Sequence, residues 1–157
     1  MWMLGFKVLQ LGNTRRTQDG PDIVASIPSG HFVVVECTTG LLKAENKLAA
    51  LHDRTAAIRR QLSGSHGNLR AIPAIVTSKT REEIGADVEQ AEKLGIVVIT
   101  QERLHDALRR TMFLPNADEI FAEMEREVAA NLEKYQRGDQ PQLPFSSPGA
   151  MNRSEEH

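Results

Sequence analysis

Cysteine is almost absent from this 157-residue chain: Cys37 stands alone, so no disulfide can form within it. That scarcity points to a reducing, cytoplasmic setting. No apolar run reaches the length of a membrane span, so no membrane association is expected. The opening residues, Met1 to Lys7, lack the long apolar core and cleavage pattern of a signal peptide. There is no internal repeat and no excess of positive charge, the formal net charge being −2. No global field therefore advertises a polyanionic partner, although a local surface can still bind one. The histidines show no zinc-like spacing. The loop Gly12-Asn13-Thr14-Arg15-Arg16 does not lead to the Gly-Lys-Ser/Thr ending of a phosphate loop, which removes a nucleotide-triphosphatase reading.

What is present is ordinary globular composition, 40% apolar and 25% charged, in a chain long enough for one domain with a real core. Trp2 to Leu4 followed by Gly5 read as the end of a helix closed by a glycine cap, so the first helix is expected to be abbreviated or the chain a fragment. Residues 6–11 alternate as a strand. Residues 22–27 and 32–38 are strands around Pro28-Ser29-Gly30, a hairpin signal. The period then changes, and Leu48, Leu51, Thr55, Ile58 and Leu62 predict a helix over 41–62, with 63–68 a loop. Residues 71–77 and 96–100 read as buried strands, 81–95 and 101–110 as helices, the latter with Leu104 and Leu108 inward. The order hairpin, helix, strand-helix-strand predicts an α/β fold: a mixed sheet, antiparallel meander plus βαβ unit, flanked by helices. This domain is expected to span 1–112, followed by an amphipathic helix over 113–137 that packs on it or serves a partner, and a disordered tail over 138–157 rich in Pro, Ser and Gly.

Two acids stand out. Glu36 follows Val33-Val34-Val35, where an unpaired carboxylate is costly, and Asp22 begins the preceding strand. A three-residue hairpin loop puts Asp22 opposite Glu36, Val24 opposite Val34 and Ser26 opposite Phe32, with Thr38 on the same face as Glu36. Neighbouring carboxylates repel unless a cation intervenes. Two acids, a backbone carbonyl and waters suit Mg²⁺ or Mn²⁺, which favour hard oxygen ligands. The plain alternatives are a turn role for Asp22 after Pro21 and a salt bridge from Glu36 to Lys43, Lys47 or Arg54. Cys37 reads as a small buried hydrophobe, and Lys43 and Lys47 as a solvated helix face.

Pro21-Asp22, a hairpin, and then Val35-Glu36-Cys37-Thr38 resemble the PD-(D/E)xK nuclease superfamily of the restriction-endonuclease-like fold. Thr17 to Ala25 are similar to the Gly-Asp-Gly-Gly-x-Asp segment of Mrr-like restriction endonucleases, and the likeness covers roughly residues 4–110. The resemblance implies a metal-dependent nuclease acting on DNA. Asp22 and Glu36 then match the metal-binding acids, and the carbonyl of Cys37 the usual third ligand. Thr38 departs from the pattern by standing where the family has lysine, and it carries no positive charge. Lys43 or Lys47 could replace that lysine, Thr38 could hold a water while the metal suffices, or catalysis could be lost. Arg15, Arg16 and Lys79 are the residues expected to grip phosphates. A homodimer is expected because cutting both strands wants two sites, with the 117–135 helix as the interface. The rivals are an inactive nucleic-acid-binding or assembly module of the same fold, and a receiver-like signalling domain, which would need strands 22–27 and 32–38 to be parallel.

Overall fold

A computed structural model describes residues 1–11, 20–42 and 46–138 of the chain. Five strands form one mixed sheet in sequence order: β1 (Lys7–Gln10), β2 (Ile23–Ser26), β3 (Phe32–Thr38), β4 (Ala71–Thr77) and β5 (Val97–Ile99). β1, β2 and β3 pair antiparallel, whereas β3, β4 and β5 run parallel. The strands over 22–27 and 32–38 are thus antiparallel, which removes the receiver-like reading. Between the parallel strands lie α1 (Lys47–Ser65) and α2 (Gly85–Lys93), and after β5 come α3 (Gln101–Thr111) and α4 (Ala117–Gly138). The expected α/β architecture is present, a meander joined to a βαβ unit.

Each face of the sheet has its own core. On one side Val34, Ile75 and Val98 meet Leu48 and Leu51 of α1 and Val88 and Ala91 of α2. On the other Val33, Val35, Ala74 and Val97 meet Ala107 of α3 and Ile120, Phe121 and Met124 of α4. Alternation along β3 feeds both layers from consecutive valines, which is why the run is unbroken. Each such side chain contributes about 1.5–3 kcal/mol by leaving water. α4 packs the buried part of its apolar face, Ile120, Phe121 and Met124, on its own sheet, while Leu132 further along the stripe stays 37% exposed. Charged and polar ties hold its flank: Arg70 to Glu125 at 2.7 Å, Arg103 to Glu127 at 2.6 Å, and the Tyr135 hydroxyl donating to Glu92 at 2.9 Å. The expected tail falls, from residue 139 onward, outside the described residues.

β4 carries Pro73 in the middle of a sheet, where a missing N–H is normally costly. The pairing with β5 begins only at Ala74, so at Pro73 the strand has β3 alone beside it.

Element ends depart from the sequence reading at three places. The long helix starts at Lys47 rather than 41, after Asn46 in a left-handed conformation (φ 56°). It continues through Ser63, Gly64 and Ser65, read above as loop, and both serine hydroxyls donate back to carbonyls, those of Arg60 and Gln61. α2 starts at Gly85 rather than 81: Thr80 N–H donates to Glu83 Oε2 at 2.7 Å, and Glu83 N–H to Thr80 Oγ1 at 3.4 Å. These reciprocal bonds form a capping box around an irregular first turn. Gly5 does close the N-terminal 3-10 turn Trp2–Leu4, with φ 92°.

The hairpin loop is Pro28-Ser29-Gly30 as expected. Ile27 N–H donates to the His31 carbonyl at 3.0 Å, and Gly30 takes φ 89°. Gly30→Ala is expected to lower stability by about 1–2 kcal/mol, the cost of a Cβ in the left-handed region. Urea unfolding measures it, and an unchanged midpoint would contradict this account of the turn.

Candidate metal and nucleic-acid site

The register of β2 against β3 positions the two acids. Ile23 pairs with Val35, Val24 with Val34 and Ser26 with Phe32. One further step along the same register sets Asp22 opposite Glu36, as the loop length predicts. Because Ile27 and His31 form a hydrogen-bonded pair, alternation makes Asp22 and Glu36 a non-hydrogen-bonded pair, with Cα atoms about 4.5 Å apart and side chains at their closest. The main chain agrees, since the Asp22 carbonyl turns away to accept from Leu11 N–H of the β1 side at 3.0 Å.

Pro21 acquires a role here. In this register it stands opposite Cys37 at a hydrogen-bonded position, yet it has no N–H to give the Cys37 carbonyl. The Cys37 N–H finds its partner in the side chain instead, donating to Asp22 Oδ2 at 2.8 Å. In an extended strand the N–H and C=O of one residue point the same way. The Cys37 carbonyl is thus directed to the side where Asp22 lies, without a ladder donor from Pro21. Two carboxylates and that oxygen are hard ligands of the kind a small divalent cation favours, so the residues present fit such an ion. Among the described residues no three His, Cys, Asp or Glu side chains gather in one metal-holding group.

Glu36 is buried, 7% exposed, and its carboxylate takes a charged hydrogen bond from Arg54 Nη1 of α1. Burial pushes the Glu36 carboxyl above its ordinary range and the neighbouring Asp22 pushes further, while Arg54 pulls back. Arg54 was foreseen only as one of three salt-bridge partners. The signal that could have raised it is its place three residues after Leu51, on the flank of the buried stripe and two helical turns after Lys47.

Thr38 closes β3, its Oγ1 accepting from Gly40 N–H at 3.2 Å. Cys37, expected as a buried hydrophobe, is exposed, one residue before the end of β3. Partial desolvation and the negative Asp22 and Glu36 push its thiol upward, so it is no ready nucleophile. Lys47, the first residue of α1, lies near the same strand end. Together Cys37, Thr38, Lys47, Thr77, Ser78 and Gln101 border a cleft of about 710 Å³ at the carboxyl ends of β3 and β4. Lys79 is engaged with Glu83 at 3.1 Å on an exposed turn. Arg15, Arg16 and Lys43 lie outside the described residues. Gln101 was not singled out by sequence, since an amide just past a strand end carries no distinctive spacing.

No helix among the described residues is long and apolar enough to cross a membrane. No family model matches the chain, and no curated protein matches it significantly.

Proposed function

We propose that the protein is a metal-dependent nuclease that hydrolyses DNA phosphodiester bonds. The observation that carries this reading is the Asp22–Glu36 pair: two carboxylates on one face of a hairpin, beside a main-chain carbonyl that Pro21 leaves without a ladder donor. Asp22, Glu36 and the Cys37 carbonyl would hold Mg²⁺ or Mn²⁺. When bound, such an ion supplies an acidified water and neutralises charge on the phosphate. The order of a hairpin, a helix and a strand-helix-strand unit is the one the resemblance to PD-(D/E)xK nucleases implies, and it supports the assignment.

The chain's own residues have distinct tasks in this reading. Arg54 pairs with the Glu36 carboxylate, and a metal held by Asp22 and Glu36 would share that carboxylate with it. Its guanidinium, forked and permanently charged, is then placed to meet a phosphate oxygen. With Lys47 it supplies the positive charge that Thr38 lacks. Incubation of plasmid, linear and single-stranded DNA with Mg²⁺ or Mn²⁺ tests the reading; DNA left intact in every combination would overturn it.

The metal step has a pH signature. The Glu36 carboxyl is raised above its ordinary value of 4.5 in the folded protein. Its contribution to stability is therefore fully present below that value and is lost as pH rises through the folded-state pKa. Metal binding requires the ionised form, so it grows over the same interval. Mn²⁺ is thus expected to raise the melting temperature strongly near neutrality and little in acid. A thermal shift of equal size at both pH values, or none at all, would count against the site.

A second reading, an inactive module of the same fold that binds nucleic acid, is favoured by one observation: Glu36 already has a cation in Arg54. Absence of any Mn²⁺ effect on stability would select it.

A further inference from the structure

The cleft at the carboxyl ends of β3 and β4 has a chemistry of its own. Crevices at that edge of parallel strands are where open α/β sheets bind ligands, and about 710 Å³ falls within the usual range for a small-molecule site. Its polar wall is built from donors: Thr38, Thr77, Ser78, Gln101 and Lys47. Thr38 Oγ1 accepts from Gly40 N–H at 3.2 Å and Thr77 Oγ1 accepts from Lys79 N–H at 3.1 Å. Each hydroxyl, used so far as an acceptor, keeps its proton to donate. No carboxylate is among the described residues that line the cleft, and Val76 and Leu104 supply its apolar surface. A ligand matching this lining carries an anionic group with several acceptor oxygens and an apolar body.

We infer that this cleft takes one unpaired nucleotide, its phosphate toward Lys47 and Thr38 and its base toward Val76 and Leu104. That the nucleotide belongs to the strand being cut rests on the nuclease reading, since the cleft begins at Cys37, immediately after Glu36. The substrate class then follows. A base within a duplex reaches such a pocket only by extrusion, which costs a few kcal/mol, so single strands, flaps and frayed ends are preferred to intact duplex.

The test uses the full chain carrying Asp22→Asn, so that nothing is cut, and an oligonucleotide with a single 2-aminopurine. Its fluorescence should change saturably when the probe is single-stranded and far less when the same base is paired, with thymidine 5′-monophosphate competing. Adding Lys47→Ala should weaken binding about tenfold, the worth of one charge-assisted bond. Adding Gln101→Glu, which places a carboxylate in the cleft at an exposed helix start, should weaken it by a similar factor with the fold retained. Equal affinity for paired and unpaired probe, or undiminished affinity in both variants, would overturn the inference and leave the nuclease reading standing. A parent protein that binds the unpaired probe yet cuts no DNA would overturn the nuclease reading alone.

Discussion

Asp22→Asn is expected to abolish metal-dependent DNA cleavage, by about a thousandfold or more, while leaving the protein as stable as before or slightly more so. The two halves have one cause. Asparagine keeps an oxygen that can accept from Cys37 N–H, so the 2.8 Å bond at the hairpin end has a replacement. It also removes a negative charge from beside Glu36, whose carboxyl Asp22 helps to push upward. The native pair therefore carries a repulsion that the variant relieves. Cleavage suffers because the ion loses one of two anionic ligands, and an ion's stabilisation of transition-state charge is worth several kcal/mol. Activity and stability moving in opposite directions distinguishes a functional acid from a structural one. A variant that cuts DNA at the parental rate, or unfolds at lower urea, would show that Asp22 serves the fold.

The second large effect is on stability. Phe121→Ala is expected to cost about 3–5 kcal/mol, a large share of the roughly 5–15 kcal/mol typical of a domain. Phe121 is 2% exposed and lies in the core between α4 and the sheet. Its ring stacks on His31 of the hairpin at 5.3 Å between centroids, so its loss is felt at the turn as well as beneath the helix. Urea titration reads the difference directly. A loss below about 1 kcal/mol would mean that α4 is a peripheral element.

The hairpin was legible because loop length sets parity. Three residues between the strands make Asp22 and Glu36 partners whatever else the chain does. The parallel half was legible for a similar reason, since strand-helix-strand order admits one handedness. Where reading failed, the deciding contact was distant or the signal local and small. Asn46 in its left-handed conformation delays α1, although the apolar stripe predicts where the helix faces. Arg54 looks like any charged residue on a helix until β3 is packed beneath it and Glu36 comes within reach. The stripe on α4 could not say whether its partner was the chain's own sheet or a second protein, because the same pattern serves both. The role of Pro21 emerged only once alternation along the ladder showed which oxygen it leaves unserved.

The arginines carry a last consequence. Among the described residues Arg54, Arg70, Arg81, Arg103, Arg110 and Arg137 each face a carboxylate of the same chain. Cations spent internally displace few condensed ions from a polyanion, so the salt slope of association should be shallow. A molecule wired this way gains little from gripping long stretches of backbone. Under the nuclease reading it would recognise its target at one point, found by collision rather than by sliding.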